Sequence, residues 1–95
     1  MIYKLTFKRS AYKEWKKLNK DVQAQFKARL KQRLESPHVP ASRLKGMDNC
    51  YKVKLRKLGY RLVYQVRDFE LVVTVVAVGK RDKNRVYISA QKRLD

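Results

Sequence analysis

Acidic side chains are scarce in this sequence. Eight Asp and Glu residues stand against twenty-five Lys and Arg residues, which leaves a formal net charge of +17. Such a surplus costs self-repulsion in a folded chain, so solubility alone does not explain it. It suits a polyanionic partner, because each phosphate that a cation neutralises releases condensed counterions. We therefore expect a highly charged partner such as ribosomal RNA, DNA or an acidic protein inhibitor.

Cysteine and histidine are each present only once. Cys50 cannot form an internal disulfide, and no Cys/His cluster has the spacing of metal ligands. His38 lies between Pro37 and Val39 in a loop-like stretch, and nothing marks it and Cys50 as a nucleophilic pair. These scarcities point to a cytoplasmic protein, and they predict a site that uses neither a metal nor another cofactor.

Long hydrophobic runs are missing as well. The longest apolar stretch, residues 71–78, is well below the ~18 residues expected of a membrane span. Residues 1–9 alternate apolar and polar side chains and lack the apolar core of a secretion signal. We therefore expect no membrane partner. The 95 residues, 44% of them hydrophobic, suffice for one domain over residues 1–95 with one modest core.

The apolar residues that are present follow two periods in the first third of the chain. Around Leu5 they alternate with polar residues, which predicts a first strand. They then recur at helical spacing over residues 9–18 and again over residues 22–35. Asn19 or Asp21 can cap the second of these helices. Two helices joined by so short a connection predict an antiparallel helical hairpin.

After a loop over residues 36–46, the alternation of a strand returns. It covers residues 51–56 and 60–67, which a tight turn joins into a hairpin. Residues 71–78 are almost wholly apolar, as in a central strand that is covered on both faces. A short terminal helix is predicted over residues 86–94. The fold class is therefore α+β, with an N-terminal strand and a helical hairpin packed on a mainly antiparallel four-stranded sheet.

The pleat of the two hairpin strands predicts a cationic face. If the apolar residues of the first strand point into the core, Lys52 and Lys54 point the other way. By the same logic Arg61 points outward from the neighbouring strand. A solvated sheet face is the ordinary interpretation of such alternation. However, residues 50–67 contain no Asp or Glu, and unpaired like charges on neighbouring strands are destabilising. This lack of counter-charge favours a phosphate-binding face.

The chemistry that fits such a face is attack of an RNA 2′-OH on the adjacent phosphate. The reaction needs a proton acceptor at the 2′-oxygen, stabilisation of negative charge at phosphorus and help for the leaving 5′-oxygen. A lysine among other cations has its charged form disfavoured, so it can act as the base. Arginines match phosphate oxygens, and a tyrosine can stack on a nucleobase.

Further basic residues occur along the predicted helices and loops. A membrane surface could attract them, but the apolar faces of the helices are committed to the core, so RNA phosphates are the better match. The predicted RNA contacts are Lys13, Lys16, Lys17, Lys20, Lys27, Arg29, Lys31 and Arg33 in the helices, with Arg43, Lys45, Arg56 and Lys80 outside them.

Four segments resemble the RelE toxins of bacterial toxin–antitoxin pairs, and the resemblance extends along essentially the whole chain. They are residues 44–47 (LKGM), 50–56 (CYKVKLR), 59–66 (GYRLVYQV) and 78–81 (VGKR), and Tyr87 follows at the expected distance. The resemblance implies an mRNA interferase, an endoribonuclease that enters the ribosomal A site, cuts the codon there and inhibits translation. It also implies a RelB-like antitoxin as partner, and operator DNA as a partner of the toxin–antitoxin complex.

The same resemblance implies a catalytic set of Lys52, Lys54, Arg61, Arg81 and Tyr87. Lys54 is then the expected general base, and Lys52 and Arg61 steady the phosphate. Arg81 stabilises charge near the leaving oxygen and is a poor literal acid, because a guanidinium rarely gives up its proton. Tyr87 stacks on the nucleotide and orients it.

Two other functions stay open at this point. A ParE-like relative shares the fold but poisons DNA gyrase without cutting nucleic acid. A non-catalytic RNA- or DNA-binding module would explain the charge but would give Lys52, Lys54 and Arg61 no special status. In that case each single substitution there would weaken binding modestly, like the loss of any other phosphate contact.

Overall fold

The structure is a computed structural model that describes residues 2–82 and 84–94. The predicted loop over residues 36–46 contains a three-residue 3-10 helix, Pro40–Ser42. No helix within the described residues is long and apolar enough to cross a membrane. The predicted order of strands and helices is confirmed. Their bounds are β1 (Lys4–Phe7), α1 (Arg9–Lys16), α2 (Lys20–Glu35), β2 (Cys50–Leu55), β3 (Tyr60–Arg67), β4 (Val72–Lys80) and α3 (Arg85–Arg93).

The four strands form one mixed sheet in the order β1-β4-β3-β2. β1 pairs with β4 in parallel, whereas β3 pairs with both β4 and β2 in antiparallel fashion. β4 therefore lies inside the sheet, and its residues 73–78 are all buried. The predicted mainly antiparallel sheet with a central apolar strand is confirmed, with one parallel pair at its edge.

Each face of the sheet is covered by different helices. On one face, Phe26 of α2 packs with Tyr64 of β3 in the larger apolar cluster, to which α1 also contributes. On the other face, Val86 and Ala90 of α3 pack with Val63 of β3 in a smaller cluster. The alternation of β3 thus sends successive side chains to two separate cores, because successive residues of a strand point to opposite faces.

Each of the two N-terminal helices follows the prediction except at one end. α1 ends at Lys16, two residues early, because the N–H of Leu18 bonds to the carbonyl of Trp15 at 3.1 Å in a tightened last turn. α2 begins at Lys20, two residues before the predicted span, directly after Asn19, which is one of the two predicted capping residues. The side chain of Asn19 accepts a hydrogen bond from the N–H of Val22 at 2.9 Å, which satisfies one of the first N–H groups of the helix.

β4 is shifted relative to its predicted span of residues 71–78. Leu71 has a positive φ of 54° and belongs to the preceding turn. At the other end the strand continues to Lys80, because Lys80 pairs with Tyr60 of β3. Near its middle Val76 is an extra residue, since the pairing with β3 skips it. Such a bulge bends the strand and leaves one residue out of the ladder.

His38 joins three distant segments of the chain. Its Nδ1 lies 2.8 Å from the hydroxyl of Tyr51, and its Nε2 lies 2.8 Å from Oδ1 of Asp68. The hydroxyl of Tyr3 donates to the same carboxylate oxygen at 2.7 Å. The hydrogen bonds from His38 and Tyr3 lower the pKa of Asp68. This network ties the loop after α2 to the end of the sheet farthest from the β2–β3 turn.

Arg33 ties α2 to the strands beneath it. Its Nη1 donates to the hydroxyl of Tyr64 at 2.9 Å and to the carbonyl of Lys52 at 3.3 Å, and its Nη2 donates to Ser42 Oγ at 3.3 Å. The Tyr64 hydroxyl in turn donates to the carbonyl of Pro37 at 2.7 Å. One of the twelve predicted RNA contacts is therefore directed into the fold.

We predict that Arg33→Ala lowers the free energy of unfolding by about 2 kcal/mol, because a charged donor is lost from a buried hydroxyl. Urea unfolding followed by circular dichroism measures the change. Lys31→Ala, an exposed change on the same helix, should stay within about 0.5 kcal/mol of wild type. Equal unfolding midpoints for the two variants would show that the Arg33 contacts contribute nothing.

Candidate functional site

The hairpin of β2 and β3 presents its cations on the face of the sheet that α3 partly covers. Lys54 and Arg61 lie directly opposite each other in the ladder, and Lys52 lies opposite Val63. Val53 between the two lysines is fully buried in the larger cluster. The side chains of Lys52 and Lys54 therefore point away from that core, as the alternation predicts.

Four of the five predicted catalytic residues line one small space of about 140 Å³, which we call the inner cavity. Lys54 comes from β2, Arg61 from β3, Arg81 from the residue after β4, and Tyr87 from the first turn of α3. The fold thus brings together side chains that lie up to 33 positions apart in sequence, from Lys54 to Tyr87. Lys80, Asp82, Asn84, Arg85 and Val86 complete the lining.

Gly79 allows α3 to approach the sheet beside this cavity. It pairs with Arg61 in the ladder, and a β-carbon added at Gly79 would lie 3.5 Å from Cγ2 of Val86. That distance is already van der Waals contact, so a side chain larger than a methyl group would push the first turn of α3 outward. Tyr87, the next residue after Val86, would move with it.

The predicted exposure of Arg61 is wrong. The residue lies on the predicted face, but only 7% of it is exposed. Val86 and Tyr87 of α3 line the same inner cavity. Strand alternation alone could not predict that a helix from another part of the chain lies beside Arg61. Nη1 of Arg61 donates to the carbonyl of Tyr60 at 3.0 Å. The guanidinium is therefore held in one orientation at the cavity.

Lys52, the fifth predicted catalytic residue, lines a second and larger space of about 480 Å³, which we call the outer cleft. The outer cleft lies between α2 and the β2–β3 hairpin, and Lys54 lines both spaces. Among the described residues that line it, none is acidic. They are Gln25, Arg29, Arg33, Ala41, Ser42, Lys52, Lys54, Leu55, Arg56, Lys57 and Leu58.

This crowding of cations changes the proton affinity of Lys54. Its pKa is lowered, chiefly by the positive charge of Lys52, then by desolvation, and then by the charges of Arg61 and Arg56. A neighbouring cation disfavours the ammonium form, so more of the neutral amine is present at a given pH. Lys54 lines both spaces, and its environment therefore suits it to accept a proton.

The other predicted RNA contacts are spread over the surface. Arg29, Arg33 and Arg56 line the outer cleft, and Lys80 lines the inner cavity. The remaining ones are exposed and line neither space: Lys13, Lys16, Lys17, Lys20, Lys27, Lys31, Arg43 and Lys45.

Several lining residues were not predicted. Asp82 and Arg85 lie in the inner cavity and form an exposed ion pair of 3.8 Å; their place between Arg81 and Tyr87 in sequence could have indicated them. Lys57 directly follows a predicted RNA contact, so the same signal was present there. Nothing in the sequence marks Gln25 of α2 as a site residue, because only the packing of α2 beside the hairpin brings it to the outer cleft.

The sequence and the fold match those of known toxins. The sequence model of a family described as "ParE toxin of type II toxin-antitoxin system, parDE" matches residues 5–85. The mRNA interferase toxin RelE of Escherichia coli (strain K12) is 52% identical over 94 residues, with 99% of each chain covered. A free double arginine-to-alanine mutant of E. coli RelE has a TM-score of 0.92 at 50% identity, with both chains fully covered. The same mutant bound to a RelB antitoxin peptide has a TM-score of 0.83 at 50% identity, again with both chains fully covered.

The class defined by this fold and by the family match is that of type II toxins of toxin–antitoxin systems. Within that class, the chain belongs to the RelE/ParE family and is a RelE-type toxin. The resemblance inferred from the four sequence segments is thereby confirmed.

We predict that Lys52→Met raises the pKa of Lys54, because it removes the largest cause of the lowering. With Lys54 as base, the cleavage rate increases with pH as the amine loses its proton, so the rise should move to higher pH in this variant. NMR titration of the Lys54 side chain measures the pKa directly. Lys52→Arg keeps a cation and should leave the midpoint nearly in place. Identical midpoints for Lys52→Met and wild type would contradict the assignment.

Proposed function

We propose that residues 1–95 form one toxin domain that is a ribosome-dependent endoribonuclease of the cytoplasm. It cleaves mRNA in the ribosomal A site and thereby inhibits translation. The observation that carries the proposal is the convergence of Lys54, Arg61, Arg81 and Tyr87 on the inner cavity. The 52% identity to an E. coli protein named mRNA interferase toxin RelE supports it.

The proposed reaction begins with the 2′-OH of the nucleotide before the scissile bond. Neutral Lys54 accepts its proton, and the 2′-oxygen attacks the adjacent phosphorus. The bond to the 5′-oxygen of the next nucleotide breaks, which leaves a 2′,3′-cyclic phosphate on one fragment and a 5′-hydroxyl on the other once that oxygen takes a proton from water. The nucleophile and the leaving group both belong to the RNA, so the protein supplies a base and positive charge.

The arginines act on the charge that develops at phosphorus. Arg61 is held by the carbonyl of Tyr60, so its orientation costs little reorganisation during the reaction, and preorganised donors stabilise a transition state most effectively. Arg81 is exposed at the rim of the inner cavity and stabilises the leaving oxygen electrostatically. Lys52 steadies the phosphate from the outer cleft. Tyr87 stacks on a base and fixes the nucleotide.

Ribosome dependence follows from the weakness of these groups. A lysine base in an open site makes a poor nuclease on flexible RNA, and a ribosome that holds the message in cleavable geometry supplies the positioning. The exposed cations of α1 and α2 then bind ribosomal RNA, and the outer cleft guides RNA phosphates towards Lys54.

A RelB-like antitoxin is the proposed neutralising partner. Structures of RelE-type relatives together with RelB support this partner. Such an antitoxin would cover apolar surface near the sheet and α3, and block or displace that helix. Binding of the toxin–antitoxin complex to operator DNA belongs to the same proposal and rests on the strong positive charge and on the family.

A non-nuclease toxin of the ParE type is the second candidate. One observation favours it, namely that the matching family model is described as a ParE toxin. Against it stand the clustered cations of the inner cavity and the 52% identity over 94 residues to an E. coli protein named mRNA interferase toxin RelE. A gyrase poison has no need for a lysine of lowered pKa beside two arginines.

Primer-extension mapping of mRNA on purified ribosomes with an empty A site tests the proposal. Wild type should cut inside the A-site codon and leave free mRNA intact. Arg81→Ala should cut at least about a hundredfold more slowly, because it removes stabilisation of the transition state. Lys4→Ala removes an exposed cation from β1, at the opposite edge of the sheet, and should cut at the wild-type rate.

Intact message with wild-type protein would refute the nuclease and favour the ParE-type or pure binding function. Equal rates for wild type and Arg81→Ala would keep the nuclease but remove Arg81 from its site.

A further inference from the structure

The edge of β4 changes partners halfway along the strand. β1 pairs with β4 only as far as Phe7 and Val75. Beyond that point side chains bond to the β4 backbone: Nη1 of Arg93 donates to the carbonyl of Val76 at 2.9 Å, and the N–H of Val78 donates to Oε1 of Glu14 at 3.3 Å. These two side chains provide hydrogen-bond partners for backbone groups of β4 next to its bulge, where the pairing with β3 is interrupted.

Glu14 and Arg93 also bind each other directly. Nη1 of Arg93 lies 2.8 Å from Oε1 of Glu14, and Nη2 lies 3.1 Å from Oε2, which is a bidentate pair. The pair is partly shielded, with 23% of the arginine side chain and 33% of the glutamate side chain exposed. Nζ of Lys8 donates to the carbonyl of Arg93 at 3.0 Å. The last residue of α3 is therefore held through both its side chain and its backbone.

α3 needs such contacts because it is short. It has nine residues, of which only Val86 and Ala90 are buried, and a helix of that length is not stable in water on its own. Val86 anchors the first turn against Gly79. The other end of the helix, six residues beyond Tyr87, is anchored by Arg93. Loss of the second anchor would leave α3 held only by its two buried side chains and by the contact of Lys8 with its last carbonyl.

We propose that Glu14 and Arg93 are positioning residues, which hold the end of α3 on β4 and so keep Tyr87 over Lys54 and Arg61. Neither residue lines the inner cavity, so both act through the placement of α3. The part of this inference that concerns cleavage rests on the proposed function. The part that concerns the docking of α3 does not, and it can be tested without RNA.

Cys50 reports on the docking of α3. It is the only cysteine in the chain, it is fully buried, and it packs in the cluster that contains Val86 and Ala90. Burial raises the pKa of its thiol to about 11, so the docked protein should react slowly with a thiol reagent. Departure of α3 would expose the thiol, and the labelling rate then measures how often the helix opens.

The first experiment compares the labelling rate of Cys50 in wild type and in Glu14→Gln. The variant should label about tenfold faster, because it loses a charge-assisted, partly shielded contact. Arg93→Lys keeps a cation without the bidentate geometry and should give an intermediate rate. The single variant Arg93→Gln and the double variant Glu14→Gln with Arg93→Gln should label at the same rate, because both changes remove the one interaction that Glu14 and Arg93 share.

Glu70→Gln is the matched control, since it converts the carboxylate of an exposed ion pair of 3.9 Å to an amide at the other end of the sheet. It should label at the wild-type rate. Urea unfolding of each variant separates opening of α3 from global unfolding. A wild-type labelling rate in Glu14→Gln would overturn the proposal. So would an increase that the loss of global stability fully accounts for.

The second experiment measures cleavage on ribosomes by Glu14→Gln. We expect kcat to fall about tenfold with KM almost unchanged, because the basic surfaces of α1 and α2 stay in place while Tyr87 is misplaced. Faster labelling together with unchanged kcat would overturn the positioning role. If wild type itself does not cleave, the proposed function fails, and the labelling experiment still decides whether the pair holds α3.

Discussion

Lys54 and Arg61 lie directly opposite each other on paired strands, and the candidate site depends on this close approach of like charges. Cations in this position destabilise a sheet. The hairpin nevertheless forms, because Val53, Leu62 and Tyr64 on its other face are fully buried in the larger apolar cluster. The apolar core thus offsets the repulsion, and the pKa of Lys54 is lowered by the charge of Lys52, by desolvation and by this repulsion from Arg61. A lysine suited to accept a proton is a consequence of that balance.

The second component of the site is a short helix that buries few side chains. α3 supplies Tyr87 and covers Arg61, yet only two of its side chains are buried, one of them an alanine. Elements with few buried contacts open at low free-energy cost. A hairpin packed on the larger apolar cluster and a short helix with two buried side chains therefore share one inner cavity.

The sequence was sufficient to predict the features that depend on local periodicity. The alternation around Lys52 and Lys54 predicted their common face, and the valine-rich run predicted a central strand. Gly59, with a φ of 73°, marked the turn that makes β2 and β3 neighbours. The resemblance to RelE toxins then named Arg81 and Tyr87, which periodicity alone does not connect to the lysines.

Features that depend on long-range packing could not be predicted in this way. The burial of Arg61 results from a helix that begins 24 positions later in the chain, at Arg85. The contact of Glu14 with Arg93 spans 79 positions, and no local periodicity relates residues so far apart in the chain. The bulge at Val76 lies within a uniform run of apolar residues, so nothing in that run marks the point where the ladder shifts.

We propose that this cationic site promotes attack of an RNA 2′-OH on the adjacent phosphate. The most direct test uses two messages on stalled ribosomes, identical except that one carries a single 2′-deoxynucleotide before the A-site cleavage position. With the 2′-oxygen as nucleophile, the all-ribose message is cut to a 2′,3′-cyclic phosphate, and the substituted message stays intact at that bond while still binding the toxin. Equal cleavage of both messages would show that another nucleophile is at work.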